Sequence, residues 1–371
     1  VCWAVSLVFF GVPLLRGGPG ARRAPAAVIE APQGAVFSAP AIPALVFRGA
    51  APADLLSPFS APAVSAVLLP PPDLPAPSAA APLAVDASER FLALHADVRV
   101  DLAGPLPTAA STYRYSFVRG FMGNHITGYM TENVERLKAL GLDADVIPIA
   151  TEGDSNGALA AIGRAVAASP KPVVLIGHSR GGMLVHDWYR GAPDDLKARA
   201  AGLILMQATI GGSPVADAMT AHWAARLLAR LLSLLPSWGG VLETLEELTV
   251  SARGKVLAAL PPLTAADLRK ILVLQSSFDP ATGGAYHRDM FRPWKIFEGR
   301  ETGATDGLAG AAESGVPGAR TIHLEDVDHE DTVIENAGWI KWLLGSRPNP
   351  KYRVGDISEA LVRFFFLPSA G

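Results

Sequence analysis

Short apolar runs alternate with amphipathic stretches from about residue 113 to about residue 325. The most apolar of these runs, residues 172–177, contains no polar side chain, which is typical of a strand buried on both faces of a parallel sheet. A helical pattern follows it directly. Strands that alternate with helices in this way predict an α/β fold, in which a mostly parallel sheet is flanked by helices.

The same pattern predicts where the individual elements lie. The predicted strands are 115–118, 144–149, 172–177, 202–207, 271–275 and 320–324. The predicted helices are 130–140, 157–168, 335–344 and 357–366. The first two helices are followed by Gly141 and Pro170, and glycine and proline are residues that end helices.

Residues 213–263 break this rhythm, because they contain no clear strand. Within them, residues 221–235 predict one amphipathic helix with a leucine-rich face and two arginines, Arg226 and Arg230. We therefore predict a helical cap at residues 213–263, inserted into a single folded domain that spans residues 86–371.

The N-terminal part of the chain has a different composition. Residues 1–15 are apolar and uncharged, short for a membrane span and about right for the core of an export signal, with a membrane anchor or an untargeted tail as the alternatives. Residues 16–85 are rich in Ala and Pro, which predicts a largely disordered linker. We expect an exported protein, either periplasmic, envelope-associated or secreted, with a cytoplasmic location as the alternative.

Charge and cysteine usage exclude several classes of protein. The formal net charge of the 371 residues is −3 and no long basic block occurs, so nothing indicates binding to nucleic acid. Cys2 is the only cysteine, which excludes an intrachain disulfide framework, a Cys-x-x-Cys metal site and a cysteine redox pair. We expect no cofactor.

The chemistry is indicated by residues 177–182, which read Gly-His-Ser-Arg-Gly-Gly and fit the pattern G-x-S-x-G. They lie between a predicted buried strand and a helix, where this pattern forms a sharp turn that exposes a nucleophilic serine. Ser179 is then the candidate nucleophile, and the backbone N–H of Arg180 can donate to an oxyanion. The alternative is a serine that only caps the helix at an ordinary strand-to-helix turn.

A serine nucleophile needs a base and an acid, which in this arrangement follow it along the chain in the order acid, then base. His329 follows a predicted strand and is the candidate base, whereas His323 lies inside that strand and is expected to be structural. Asp306, in a glycine-rich loop, is the favoured acid, and Asp279, just after another strand, is the alternative acid.

A second oxyanion donor is expected from the loop after the first strand. That loop is residues 119–123, which read Arg-Gly-Phe-Met-Gly. We predict the N–H of Phe121 as the donor, with that of Met122 as the next choice.

These segments together resemble the bacterial true lipases of the α/β-hydrolase superfamily, over roughly residues 113–340. The matching segments are 119–121 (Arg-Gly-Phe), 153–156 (Gly-Asp-Ser-Asn), 176–182 (Ile-Gly-His-Ser-Arg-Gly-Gly), 212–217 (Gly-Ser-Pro-Val-Ala-Asp) and 306–308 (Asp-Gly-Leu). Two positions depart from the family. Arg119 stands where the family has His, and Arg180 stands where Met or Gln is frequent.

The resemblance implies a triad of Ser179, Asp306 and His329, without a cofactor other than a structural calcium ion. Asp331 is the candidate calcium ligand, but the sequence offers no convincing second ligand. Residues 213–263 would be a lid that opens on a lipid surface, or a cap packed permanently on the core.

Three apolar residues are expected to bind substrate, namely Met122, Trp223 and Leu227. The implied activity is cleavage of small-molecule or lipid carboxylic esters through an acyl-enzyme, with transient contact with a lipid surface. Acyl transfer and thioester or amide cleavage by the same residues are alternatives, as is a catalytically inactive, envelope-associated binding protein of the same fold.

Overall fold

A six-stranded parallel sheet forms the centre of the described structure. The computed structural model describes residues 86–235, 238–278, 304–335 and 349–367. The strands are β1 (Arg114–Val118), β2 (Asp143–Val146), β3 (Val173–His178), β4 (Ala200–Met206), β5 (Ile271–Ser277) and β6 (Arg320–Glu325). Their order is β2-β1-β3-β4-β5-β6, and every neighbouring pair is parallel. The predicted α/β architecture is confirmed.

The strands divide the apolar core into two layers, because successive side chains of a strand point to opposite faces of the sheet. In β3, Val174 and Ile176 belong to one buried cluster, and Val173 and Leu175 belong to the other. All six residues of β3 are buried. The continuous apolar run in the sequence therefore reflects burial of the strand on both faces.

Helices cover both faces of the sheet. They are α1 (Ser88–Arg99), α2 (Thr131–Ala139), α3 (Ser155–Ala168), α4 (Arg180–Gly191), α5 (Asp194–Arg199), α6 (Pro214–Ala221), α7 (Trp223–Leu232), α8 (Val241–Glu247), α9 (Val250–Ala259), α10 (Ala265–Arg269), α11 (Ala311–Ser314) and α12 (Val354–Phe365). Buried residues of α1, α2 and α12 belong to one cluster, and those of α3 and α4 belong to the other. Among these described helices, none has the length and apolar character needed to cross a membrane.

The cap region differs in detail from its prediction. Among the residues described between β4 and β5, five helices occur, α6 to α10. The predicted continuous helix at residues 221–235 is wrong, because α6 ends at Ala221 and α7 begins at Trp223. His222 between them takes extended backbone angles (φ −89°, ψ 116°), which no α-helix can include.

Several sequence predictions lie outside the described residues. They are the export signal at residues 1–15, the linker at residues 16–85, nearly all of the helix predicted at residues 335–344, and the alternative acid Asp279.

Candidate active site

Ser179 forms a strained turn between β3 and α4. Its backbone angles are φ 56° and ψ −128°, a combination that non-glycine residues rarely adopt and that costs about 1–3 kcal/mol. Its N–H donates to the carbonyl oxygen of Met206 (3.0 Å) and its own carbonyl accepts from Thr209 (3.3 Å), so the turn is fastened to the end of β4. This is the local structure that the pattern G-x-S-x-G predicts.

The glycines of the pattern are required by close backbone contacts. A Cβ atom at Gly181 would lie 2.1 Å from the carbonyl oxygen of Val118, and one at Gly177 would lie 2.5 Å from the carbonyl oxygen of Gly181. Real Cβ atoms do not approach other atoms so closely. The end of β1 therefore packs directly on the first turn of α4, which brings the loop after β1 to Ser179.

That loop, residues 119–123, begins beside the serine. A Cβ atom at Gly120 would lie 2.8 Å from Cβ of Ser179. Among the described residues, no hydrogen bond uses the N–H of Phe121. Arg180 is the first residue of α4, and its N–H has no acceptor inside the helix. Both predicted oxyanion donors thus lie in segments that meet at Ser179 with their N–H groups available.

Asp306 lies in a tight turn that holds its carboxylate in one orientation. Oδ1 accepts from the N–H groups of Leu308 (3.0 Å) and Ala309 (2.7 Å). Gly307 allows the turn with a φ of 100°, which favours glycine. The other oxygen, Oδ2, is left to face His329.

The His329 ring donates from Nδ1 to Oδ2 of Asp306, with a separation of 2.7 Å, and the His329 backbone N–H donates to the Asp306 carbonyl (2.9 Å). Both side chains are buried. Burial alone would lower the pKa of His329, but the charge of Asp306 and the hydrogen bond to it raise that pKa above the usual value for histidine. The pair has the geometry of a general base oriented by an acid.

A buried polar network fastens the loop of His329 to the serine turn. His178, next to Ser179, donates from Nε2 to the carbonyl oxygen of His329 (2.7 Å), and its Nδ1 accepts from the Tyr129 hydroxyl (2.5 Å). Gln207 donates to the Asp328 carbonyl (2.7 Å). Burial, with the His329 ring nearby, holds the pKa of His178 well below its usual value, so this ring stays neutral.

The two histidine rings stack obliquely, with centroids 4.7 Å apart, so the His329 ring lies beside the residue that precedes Ser179. Among the described residues, no hydrogen bond joins the Ser179 hydroxyl to the His329 ring. Hydrogen bonds between a nucleophile and its base are often loose without substrate and tighten in the complex.

The predicted substrate-binding residues separate into two groups. Met122, together with Phe121, packs against the apolar core of the cap. Trp223 and Leu227 lie on the outer face of α7, with 74% and 50% of their surfaces exposed. The buried side of α7 consists of other residues, such as Ala229 and Leu232.

Two further candidates take structural positions. His323 lies within β6, as expected, and its Nε2 hydrogen-bonds the Ser277 hydroxyl (2.8 Å). Asp331 accepts from the side-chain amide of Asn349 (3.0 Å) and from the backbone N–H of Asp328 (3.2 Å). Within the described ranges, no group of three His, Cys, Asp or Glu residues is placed to hold a metal ion.

Sequence reasoning missed the supporting residues of this site. His178 was visible as part of the pattern, but its contacts with Tyr129 and His329 join positions 49 and 151 residues apart. For Gln207 a local sign exists, since it is the last residue of a predicted strand, and polar residues at the carboxyl ends of strands tend to face the site.

The sheet order, the helices on both faces and the serine turn after β3 define an α/β-hydrolase fold. No protein-family model and no curated protein matches the chain. Among solved structures, a metagenomic carboxyl esterase is similar, with a TM-score of 0.62 and 19% identity over 78% of this chain and 96% of that one. The mature form of a Bacillus licheniformis lipase has a TM-score of 0.44 and 17% identity, over 61% and 86% of the two chains. The likeness to the esterase confirms the fold.

The contact at Gly181 can be tested by stability measurements. We expect Gly181→Ala to lower the free energy of unfolding by about 3 kcal/mol or more, because the added methyl group meets rigid backbone. Gly254→Ala is the matched control, since Gly254 lies inside α9 with open space around it. Alanine at this position should raise the free energy of unfolding by roughly 0.5–1 kcal/mol. Urea unfolding measures both. Equal stability of the two variants would contradict the described packing of β1 on α4.

The Asp306–His329 pair predicts a pH dependence for any activity in which His329 acts as a base. Only the neutral ring accepts a proton, so the wild-type rate should fall as pH drops through the raised pKa of His329. Asp306→Asn removes the charge that raises this pKa, so the acid limb should move to lower pH, with kcat/KM reduced roughly 10³–10⁴-fold. The exposed Asp326, paired with Lys351, provides the control Asp326→Asn, whose pH profile should match the wild type. An unchanged acid limb in Asp306→Asn would contradict the assignment.

Proposed function

We propose that this protein is a serine hydrolase that cleaves carboxylic esters through an acyl-enzyme, with Ser179, His329 and Asp306 as its triad. The observation that carries the proposal is the buried hydrogen bond between Asp306 and His329, in a loop fastened to the residue next to Ser179. The similar solved structure named a carboxyl esterase is consistent with it.

In the first step His329 removes the proton from Ser179 at its Nε2 atom, while Oγ attacks the ester carbonyl carbon. The carbonyl oxygen becomes an oxyanion, which the N–H groups of Phe121 and Arg180 stabilise. One such donor is worth about 3–4 kcal/mol of barrier lowering in related sites. The tetrahedral intermediate then expels the alcohol, which takes the proton from His329.

In the second step water attacks the acyl-enzyme, and His329 accepts one proton from it. Collapse of the second tetrahedral intermediate releases the carboxylic acid, and the proton on His329 returns to Ser179. Asp306 remains ionised throughout and stabilises the imidazolium that forms twice in the cycle.

The side chains near the serine favour an apolar acyl group. Phe121 and Met122 follow Gly120 and pack against Trp238 and other apolar residues of the cap. An acyl chain that leaves Ser179 toward the cap would therefore contact apolar surface.

The outer face of α7 favours contact with a lipid surface. Its exposed side chains form one stripe, namely Trp223, Leu227, Leu231, Leu234 and Leu235, the last two just beyond the helix. Arg226 and Arg230 lie on the same exposed side. A helix with apolar residues and flanking arginines toward solvent is suited to the surface of an anionic membrane.

Acyl transfer and thioester or amide cleavage use the same residues, so product analysis separates them from ester hydrolysis. For an inactive binding protein of this fold, we would expect no covalent reaction at the serine. An exported location remains our expectation from the N-terminal residues.

The nucleophile is tested with a fluorophosphonate probe and nitrophenyl esters. The folded wild type should be labelled at Ser179 and should hydrolyse the esters. In Ser179→Ala both labelling and turnover should be lost, with kcat reduced at least about 10⁴-fold. Ser111→Ala, at an exposed serine whose hydroxyl bonds only its own turn, should behave as the wild type. Equal turnover by wild type and Ser179→Ala would refute the proposal.

Lipid-surface contact is tested by co-sedimentation with vesicles of anionic and of neutral phospholipid. Leu234→Ser should weaken binding to anionic vesicles roughly 30-fold, because burial of a leucine side chain contributes roughly 2 kcal/mol. Leu102→Ser is the control, since Leu102 is equally exposed (74% against 75%) but lies outside the cap. If both variants bind as the wild type does, or if the wild type does not bind, the stripe is not a lipid contact.

A further inference from the structure

The side chain of Arg180 takes no part in the chemistry proposed for its backbone N–H, yet with Arg253 it is one of the two largest fully buried side chains described. Its guanidinium donates to the carboxylate of Glu247 (3.0 Å from Nη2) and to the carbonyl oxygens of Gly153 (2.7 Å) and Thr151 (3.3 Å). The side chain thus connects three segments: the serine turn, the loop before α3 and the last residue of α8.

Glu247 completes this connection from the cap. One carboxylate oxygen accepts from Arg180, and the other accepts from the hydroxyl of Ser155. The side chain of Arg180 is 1% exposed and that of Glu247 is 22% exposed. A buried guanidinium needs an ionised partner and a full set of acceptors, so this pair strongly restricts where α8 can lie.

Other contacts hold the same part of the cap in the same place. Gly153 donates to the carbonyl oxygen of Gly240 (3.0 Å) and to the hydroxyl of Thr244 (2.7 Å). Gly240 and Gly153 are in close backbone contact, since a Cβ atom at Gly240 would lie 2.3 Å from Cα of Gly153. In α9, the buried Arg253 forms a bidentate pair with Asp187 of α4.

The α7 half of the cap is fastened differently. Its ion pair is Arg226 with Glu246, whose side chains are 50% and 48% exposed, and an exposed pair of this kind contributes little. Glu246 and Glu247 are therefore adjacent glutamates of α8 in different surroundings. Glu246 belongs to an exposed ion pair, and Glu247 belongs to the buried pair with Arg180.

The position of α8 matters for the site because of what it contacts. Its buried residues Val241, Leu242 and Leu245 supply three of the five members of the apolar cluster against which Phe121 and Met122 pack. A shift of α8 relative to the serine turn would change the space beside the predicted oxyanion donor.

We propose that Arg180 and Glu247 are positioning residues that hold α8 over the serine turn and thereby set which acyl chains fit, an inference that rests on the proposed ester hydrolysis. Arg180 then acts twice, through its backbone N–H on the oxyanion and through its guanidinium on the cap. An apolar residue at this position could perform only the first of these.

The test compares Glu247→Gln with Glu246→Gln in the full-length chain. Hydrogen exchange of the amides of residues 241–247 reports the placement of α8 without any need for activity. Hydrolysis of nitrophenyl acetate and nitrophenyl octanoate gives the acyl selectivity as the ratio of the two kcat/KM values. Arg180→Met, which retains the backbone N–H, and Glu247→Asp, which keeps the charge but withdraws it from Arg180, complete the set.

We expect Glu247→Gln to speed hydrogen exchange in α8 by about tenfold or more. The acyl selectivity should also change about tenfold, mainly through KM. The kcat for nitrophenyl acetate should stay within about twofold of the wild-type value. Glu247→Asp should change the exchange rate and the selectivity in the same direction as Glu247→Gln, but by smaller factors. Arg180→Met should change both quantities by about as much as Glu247→Gln does. Glu246→Gln should match the wild type. If Glu247→Gln fails to fold, Glu247→Asp decides.

Two failures can be told apart. If the wild type hydrolyses neither ester and Ser179 does not react with a fluorophosphonate, the proposed function fails. Hydrogen exchange then still decides whether the pair holds α8. If the wild type is active and the Glu247 and Glu246 variants show equal exchange and equal selectivity, the pair has no positioning role and the inference is overturned.

Discussion

The strained backbone at Ser179 is the constraint on which the rest of the site depends. A residue with a φ of 56° and a ψ of −128° persists only where its surroundings hold it. Here the end of β4 binds its backbone, and the end of β1 packs on α4 at a distance that only Gly181 allows. The same close packing brings the loop of Phe121 to the serine. Strain at one residue is thus coupled to the placement of both predicted oxyanion donors.

The network around His178 explains how His329, the proposed base, is held beside this turn. A neutral imidazole offers one donor and one acceptor, and both are used, by the carbonyl of His329 and the hydroxyl of Tyr129. An unsatisfied buried group would cost about 1–3 kcal/mol, so each member of the network fixes the next. The low pKa of His178 matters here, because a second proton on its ring would remove the acceptor that Tyr129 needs.

The sequence alone was sufficient to predict those parts of the structure that depend on residues close together in the chain. Each strand is a short apolar run, and the turn of Ser179 follows from the spacing of glycines around it. Asp306 could be proposed because an Asp-Gly turn forms within a few residues, and His329 because it follows a strand. The break at His222 and the outward orientation of Trp223 and Leu227 could not be predicted, since an amphipathic pattern does not say which other element covers its apolar face. Glu247 was missed for the same reason, because it is 67 residues from Arg180 and only tertiary packing joins them.

The cap combines two kinds of attachment, and the difference follows from where its charges lie. Two buried arginines attach α8 and α9 to the rest of the domain. Arg180 of α4 binds Glu247 at the end of α8 as well as backbone carbonyls, and Arg253 of α9 binds Asp187 of α4 and the carbonyl of Ile210. A displaced helix would leave these buried guanidinium groups without their partners. In α7 the arginines face solvent beside an exposed apolar stripe, so moving this helix would leave no buried charge unpaired. A rearrangement of the cap that admits a large substrate should therefore cost less free energy if α7 moves than if α8 moves. In such a rearrangement α8 would keep its position relative to Ser179. Residues 213–263 were expected to form either a permanently packed cap or a lid, and this difference is compatible with both interpretations. The part with α8 and α9 has the attachments of a packed cap, and the part with α7 has the exposed apolar surface that a lid would need.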